Sequence, residues 1–192
     1  LSLFDGTGMA RLAIEEALCQ YPEARLVAAG FAENKIRLAH AVRDAWRRRH
    51  NAGASQVPYW FLARDVWDLL RQGAGEEDSR LGEEATVQGA AGTPSQRFAD
   101  VLPRGCLVLI PAGSPCQQLT FGGRYRGAQG LCGEDSVLFF AVPTIAWTLQ
   151  QLRPDLVIHV VVENAGSMTE RHRSYILGAL GGLEVSRHLR TI

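Results

Sequence analysis

Short apolar runs alternate along most of the chain with stretches in which apolar residues recur every three or four positions. The apolar runs, bounded by glycine, proline or polar residues, predict strands, and the periodic stretches predict helices. The predicted strands span residues 1–4, 25–31, 58–63, 106–111 and 156–162, and a sixth begins within 183–189. The predicted helices span residues 9–20, 34–50, 66–70, 136–152 and 169–180. This alternation is typical of an α/β fold with a doubly wound, mostly parallel sheet and helices on both faces.

Two segments depart from this alternation. Residues 73–104 are rich in Gly, Ala, Glu, Ser and Thr and show no period. They predict a flexible insertion loop within a single domain of 192 residues. Residues 121–130 form a glycine-rich loop that carries Arg124 and Arg126, a composition suited to a mobile lid that contacts phosphates. Pro143 predicts a bend in the fourth helix.

Composition and charge limit the classes of protein to which the chain could belong. Lys and Arg together number 20, as do Asp and Glu, so the formal net charge is zero and global charge does not indicate a nucleic-acid binder. No apolar window of about 18 residues predicts a membrane span. The four cysteines form no CxxC pair, which favours a reduced, intracellular protein. The five histidines are scattered, so we expect no metal site.

Chemically useful side chains follow the predicted strands at their carboxyl ends. They are Asp5, Glu33, Asp65, Cys116 and Glu163. The carboxyl ends of parallel strands meet at one edge of the sheet, where α/β proteins bind ligands. Glu33 could accept hydrogen bonds from both hydroxyls of a ribose, or it could interact favourably with the positive end of a helix dipole. Asp65 suits either a helix cap or the exocyclic amine of an adenine.

Cys116 lies in the segment Gly113-Ser114-Pro115-Cys116. Pro115 fixes its own φ and restricts the residue before it, so the backbone that leads to the thiol is stiff. A stiff approach suits a nucleophile, although a cysteine after a strand can also be structural.

The turn that contains Gly6 and Gly8 lets a ligand approach the backbone closely, or serves only as a turn.

Three motifs together resemble the cytosine-5 DNA methyltransferase family. Residues 3–8, Leu-Phe-Asp-Gly-Thr-Gly, look like its cofactor motif. Residues 113–116 look like its nucleophile motif, and Val162-Glu163-Asn164 looks like its catalytic glutamate motif. The resemblance implies a Rossmann-like, S-adenosylmethionine-dependent methyltransferase fold. It also implies methyl transfer to carbon 5 of cytosine in DNA, through a covalent cysteine adduct on a flipped base.

The resemblance also implies roles for individual residues. Cys116, preceded by Pro115, would be the nucleophile; Glu163, at a buried edge, would share a proton with ring nitrogen 3; and Asn164 would hold the loop. S-adenosylmethionine would contact Phe4, Asp5, Gly6, Gly8, Glu33, Asp65 and Leu138. Within that set, Glu33 would bind the ribose and Asp65 the adenine. Arg124 and Arg126 would contact DNA phosphates.

The chain also departs from the family pattern. Ala165 stands where valine usually completes the glutamate motif. The chain ends before the Gln-x-Arg-x-Arg segment, the target-recognition region and the final cofactor-binding helix, so we expect a C-terminally truncated catalytic core. Its location would be the nucleus in a eukaryote or the cytoplasm in a bacterium.

Three other functions stay open. They are a tRNA cytosine-5 methyltransferase, a non-catalytic regulatory relative and, least favoured, a nicotinamide-dependent oxidoreductase. The last is disfavoured because the first turn lacks a full G-x-G-x-x-G.

Overall fold

A five-stranded, all-parallel sheet forms the centre of the computed structural model. The structure describes residues 1–4, 9–33, 36–53, 59–63, 65–71, 92–120 and 129–181. The strands are β1 (Ser2–Leu3), β2 (Ala29–Ala32), β3 (Tyr59–Ala63), β4 (Leu107–Gly113) and β5 (Val157–Glu163). Their order across the sheet is β3-β2-β1-β4-β5.

Helices connect these strands. They are α1 (Met9–Leu18), α2 (Ile36–Asn51), α3 (Pro94–Asp100), α4 (Ala141–Leu152) and α5 (Glu170–Leu180). Short 3-10 helices span Val66–Leu70, Gly130–Cys132 and Ser136–Phe140. The predicted α/β alternation is therefore confirmed for the described residues.

The strand order reverses direction at β1. From β1 the chain winds outward through β2 and β3, and then returns to place β4 on the other side of β1. This is a doubly wound sheet, compatible with a Rossmann-like fold, and its switch point lies between β1 and β4. A crevice at the carboxyl ends of these two strands is the expected ligand position in such a sheet.

Burial differs across the sheet. All four residues of β2 are buried, and because successive side chains point to opposite faces, both faces are covered there. In β5, Ile158 is buried whereas Val157 and Val161 are about half exposed. Among the described residues β5 pairs with β4 alone and is an edge strand of the five-stranded sheet. Its apolar, β-branched sequence instead predicts a central strand. The predicted sixth strand, 183–189, lies outside the described residues.

The main core packs helices against one face of the sheet. The face that carries Val108 and Ile110 contacts the 3-10 helix Val66–Leu70, α3 and α4. The expectation of an unstructured loop over 73–104 is wrong at its end, because α3 forms there and buries Phe98 and Ala99 completely. The local sequence supports this helix: Thr93 and Gln96 form a reciprocal capping box, and Pro94 occupies the first turn.

Two predicted boundaries also need correction. Strand β4 runs through Pro111 to Gly113, because these residues pair with Val161 to Glu163 of β5. The predicted helix 136–152 is instead a 3-10 helix followed by α4, and the change lies before Pro143. Pro143 stands in the first turn of α4, where its missing N–H has no helical partner to lose.

Helices α1 and α2 are joined around an indole ring. Trp46 is buried, and the guanidinium carbons of Arg11 and Arg49 lie 4.0 Å and 5.2 Å from its ring centre. Glu15 accepts hydrogen bonds from both arginines, at 3.0 Å and 3.3 Å. The paired charge lets Arg11 be buried, since an isolated buried cation would be costly. This contact fixes the helix that follows β1.

A group of hydrogen bonds around Arg153 and Asp155 stabilises the region before the amino end of β4. The Arg153 guanidinium donates to the carbonyls of Ala99, Leu102 and Pro103 and to the Asp155 carboxylate. Asp155 also accepts the Gly105 N–H at 3.0 Å. These hydrogen bonds, first those from Arg153 and then that from Gly105, hold the pKa of Asp155 well below its usual range. The cluster ties the end of α3 to the turn that precedes β5.

We expect Asp155→Asn to lower the melting temperature at neutral pH. A lowered carboxyl pKa gives a stability contribution that is complete above the unfolded-state pKa of about 3.9 and is lost as the pH falls through the folded-state value. The difference in melting temperature between wild type and variant should therefore shrink below about pH 4. Calorimetry between pH 7 and pH 2.5 measures it. Asp68→Asn, in the exposed pair with Arg71, is the control and should change little. A difference that stays constant with pH would contradict this assignment.

Candidate active site

Phe4, the residue after β1, has a conformation that is unusual for a residue with a side chain. Its φ is +58°, in the left-handed region, while its N–H donates to the Ala32 carbonyl at 3.1 Å. This conformation is sterically unfavourable for a bulky residue. Backbone strain of this kind is concentrated at functional sites. The side chain is half-buried and packs against the main core. Phe4 thus has a left-handed conformation directly after β1, beside the switch point of the sheet.

The two acidic residues that follow β2 and β3 have different surroundings. Glu33 is buried, with 6% exposure, and its N–H donates to the Ala63 carbonyl. Asp65 is exposed and caps the helix Val66–Leu70, since its Oδ1 accepts the Trp67 N–H at 2.9 Å. The predicted capping role of Asp65 is confirmed. Glu33 is buried at the carboxyl edge of the sheet, where α/β proteins bind ligands, so it is the better candidate for a ligand contact.

Cys116 lies three residues beyond the end of β4, in a tight turn. Its thiol is free and half-buried, and its carbonyl accepts the N–H groups of Leu119 and Thr120 at 2.9 Å and 3.2 Å. Leu119 is completely buried. It anchors the turn in a second core cluster, whose other buried members are Leu131, Phe139, Ile176 and Leu180. The backbone of the turn that carries the thiol is therefore anchored at the carboxyl edge of the sheet.

Glu163 is the last residue of β5 and is paired in register with Gly113. Its Oε2 lies 3.8 Å from the point that a Cβ on Gly113 would occupy, so the carboxylate lies beside the end of β4. The expectation of a buried carboxylate is wrong, because Glu163 is exposed. Neighbouring strands lie about 4.8 Å apart, so Glu163 lies beside Gly113, three residues before Cys116.

A side-chain hydrogen bond joins the two loops. The Asn164 Nδ2 donates to the Ser114 Oγ at 3.1 Å, and the Asn164 Oδ1 accepts the Ala165 N–H at 2.8 Å. Ser114 is 3% exposed, so its hydroxyl would carry a desolvation cost without this partner. Pro115, half-buried, stands between this bonded serine and Cys116. The loop after β5 thus holds the loop after β4 that carries Cys116.

Leu138 lies in the 3-10 helix Ser136–Phe140, half-buried against the main core. The Val137 N–H donates to the Gly133 carbonyl at 2.9 Å, which fixes the start of this helix. Of the remaining predicted site residues, Asp5, Gly6, Gly8, Arg124 and Arg126 lie outside the described residues.

Two features of the site are absent from the sequence prediction. The role of Ser114 depends on the β4–β5 register, which brings a polar residue after one strand next to a polar residue after the other. The φ of Phe4 has no local signal at all, because the sequence predicts a positive φ only for glycine, asparagine or aspartate.

Comparisons with protein-family models, curated proteins and solved structures found no match to this chain. Within the described residues, no group of three or more His, Cys, Asp or Glu side chains could hold a metal ion. No helix in that part of the chain is long and apolar enough to cross a membrane.

We expect Ser114 and Asn164 to be energetically coupled. Ser114→Ala leaves the Asn164 amide without its acceptor, and Asn164→Ala leaves a buried hydroxyl without its donor. Each single variant should lower the free energy of unfolding. The loss in the double variant should be smaller, by about 1 kcal/mol, than the sum of the two single losses. Urea unfolding of the four proteins measures this coupling. Strict additivity would show that the hydrogen bond does not join the two loops.

Proposed function

We propose that this chain is the catalytic core of a cytosine-5 methyltransferase that acts on DNA. The observation that carries the proposal is the Ser114–Asn164 hydrogen bond. It ties a half-buried thiol turn to a strand end that carries a carboxylate, beside the switch point of a doubly wound sheet. A structural cysteine needs no such neighbour, whereas covalent catalysis on a pyrimidine needs a nucleophile and a proton donor on the same ring.

The Cys116 thiolate would form a bond to carbon 6 of the cytosine. The electrons of the 5,6 double bond then become available at carbon 5, while Glu163 supplies a proton at ring nitrogen 3 and so neutralises the developing charge. S-adenosylmethionine, when bound, supplies an electrophilic methyl group to carbon 5. Loss of the carbon 5 proton to solvent and return of the nitrogen 3 proton to Glu163 then restore the double bond and expel the Cys116 thiolate, which leaves the enzyme unchanged.

The exposure of Glu163 is compatible with this chemistry. A flipped base that enters between the ends of β4 and β5 would cover the carboxylate and exclude water from it. The cost of moving the base out of the duplex is a few kcal/mol, which contacts to the flipped ring must repay. Asn164 keeps the loop in place without touching the ring.

The ends of β1, β2 and β3 fit an S-adenosyl ligand. Glu33 is a buried carboxylate beside β1, and its two oxygens have enough acceptor sites for both hydroxyls of a ribose in addition to a protein partner. Phe4 directly follows β1 at the same edge, and the exposed Asp65 lies one strand further out. Phe4 and Leu138 both pack against the main core and would supply apolar contacts.

Cys116→Ala should abolish methyl transfer. The assay incubates the protein with labelled S-adenosylmethionine and either DNA or tRNA, and measures 5-methylcytosine in each. Cys106→Ala is the matched control, since Cys106 precedes β4 at the opposite edge of the sheet and burial raises the pKa of its thiol. We expect transfer to DNA by wild type and by Cys106→Ala only. Transfer to tRNA alone would favour the RNA enzyme, and binding of the cofactor without any transfer would favour a regulatory protein.

Glu163→Gln should slow transfer by about 10²- to 10⁴-fold, the usual range for loss of a general acid. The affinity for S-adenosylhomocysteine, measured by calorimetry, should change little, because Glu163 lies on the β4–β5 side of the switch point and not at the ends of β1 and β2. Glu170→Gln, on the surface of α5, is the control. An unchanged rate in Glu163→Gln would remove this carboxylate from the mechanism.

A further inference from the structure

Gln118, two residues after the proposed nucleophile, fills a space that a glycine leaves open. It lies in the turn that the Cys116 carbonyl closes with Leu119 and Thr120. A Cβ built on Gly133 would overlap the amide group of the Gln118 side chain. The amide therefore occupies the position that the side chain of any other residue at 133 would take.

The backbone does not explain the glycine at position 133. Its φ and ψ are −72° and 149°, a conformation that every residue adopts. Gly133 is buried, and its closest neighbours at the Cβ position all belong to Gln118. The requirement for glycine here thus comes from one side chain of the nucleophile turn.

Gly133 connects this turn to the helix that carries Leu138. Its N–H donates to the Gly130 carbonyl at 3.1 Å, and its carbonyl accepts the Val137 N–H at 2.9 Å. The same two parts of the chain also share a core: Leu119 of the turn packs in the cluster that contains Leu131 and Phe139. A shift of Gly133 relative to Gln118 would therefore move the Ser136–Phe140 helix relative to Cys116.

A parallel contact holds the other end of this short segment. Gly130 has a φ of +62°, and a Cβ there would meet the His172 ring of α5. The segment 130–133 thus packs against α5 at Gly130 and against the nucleophile turn at Gly133. Close packing of this kind leaves little freedom for relative displacement.

We propose that Gln118 is a positioning residue, which sets the distance between the Cys116 thiol and the Leu138 side of the cofactor site by packing into the space above Gly133. This inference rests on the proposed methyl transfer, because the thiol and the methyl donor must approach the same ring. A displacement of about 1 Å can lower the rate of such a reaction by about 10²-fold.

The contact between the Gln118 side chain and Gly133 depends on the shape of the side chain and not on a hydrogen bond. In the described part of the chain the Gln118 Oε1 is buried and has no hydrogen-bond partner. Methionine has nearly the same length and volume and lacks the polar group, so Gln118→Met should retain the wild-type rate. A tenfold loss in Gln118→Met would show that the amide acts by hydrogen bonding, and would overturn a role through packing.

Gly133→Ala provides the test, with Gln118→Ala as its suppressor. The single-turnover rate of methyl transfer in Gly133→Ala should fall by about tenfold or more, while the affinity for S-adenosylhomocysteine changes by less than about threefold. In the double variant the rate should rise above that of Gly133→Ala, since alanine at 118 leaves room for the new Cβ. Gly178→Ala is the control, because a Cβ at that glycine of α5 meets nothing within 4 Å.

The outcomes separate this inference from the proposed function. A wild-type protein that methylates cytosine, with a Gly133→Ala variant that does so equally fast, would overturn the role of Gln118 alone. A slow Gly133→Ala variant that Gln118→Ala does not rescue would also overturn it, since the loss would then have another cause. A wild-type protein that transfers no methyl group to DNA or RNA would overturn both.

Discussion

The parallel pairing of β4 with β5 is the constraint on which the candidate site depends. The two strands stay in register over seven consecutive residue pairs, from Leu107–Val157 to Gly113–Glu163. Because both strands end at the same level, the loops that follow them start side by side, and Ser114 reaches Asn164. A slip of one residue would turn Glu163 to the opposite face of the sheet. The position of the carboxylate beside the thiol turn is thus a consequence of strand register.

The rest of the fold keeps this register and the loops in place. At the amino edge, Arg153 joins three carbonyls near the end of α3 to Asp155, just before β5 begins. At the carboxyl edge, Leu119 fixes the Cys116 turn in the second core cluster. The thiol turn is therefore held from two sides, by the apolar cluster and by the Asn164 hydrogen bond. Such fixed positions are what a covalent mechanism requires of its nucleophile.

The sequence predicts those parts of the structure that depend on local pattern. Alternating runs predict the parallel sheet, and strand ends predict that Glu33, Cys116 and Glu163 share one edge, as they do. The apolar pattern does not predict α3, because the stretch before it is poor in large apolar residues, although Thr93 and Gln96 carry a capping signal. The conformation of Phe4 and the exposure of Glu163 have no local cause, since they depend on neighbours that only the folded chain supplies.

The most direct test of the central claim is to trap the bond between Cys116 and a cytosine. Fluorine at carbon 5 cannot leave as a proton does, so DNA that contains 5-fluorocytosine should remain attached to the protein after methyl transfer. Proteolysis and mass spectrometry of the product locate the attachment. The account predicts a mass increase, equal to the methylated nucleotide, on the peptide that contains Cys116. A nucleotide attached at Cys106 or Cys132, or methyl transfer that proceeds without an adduct, would contradict it.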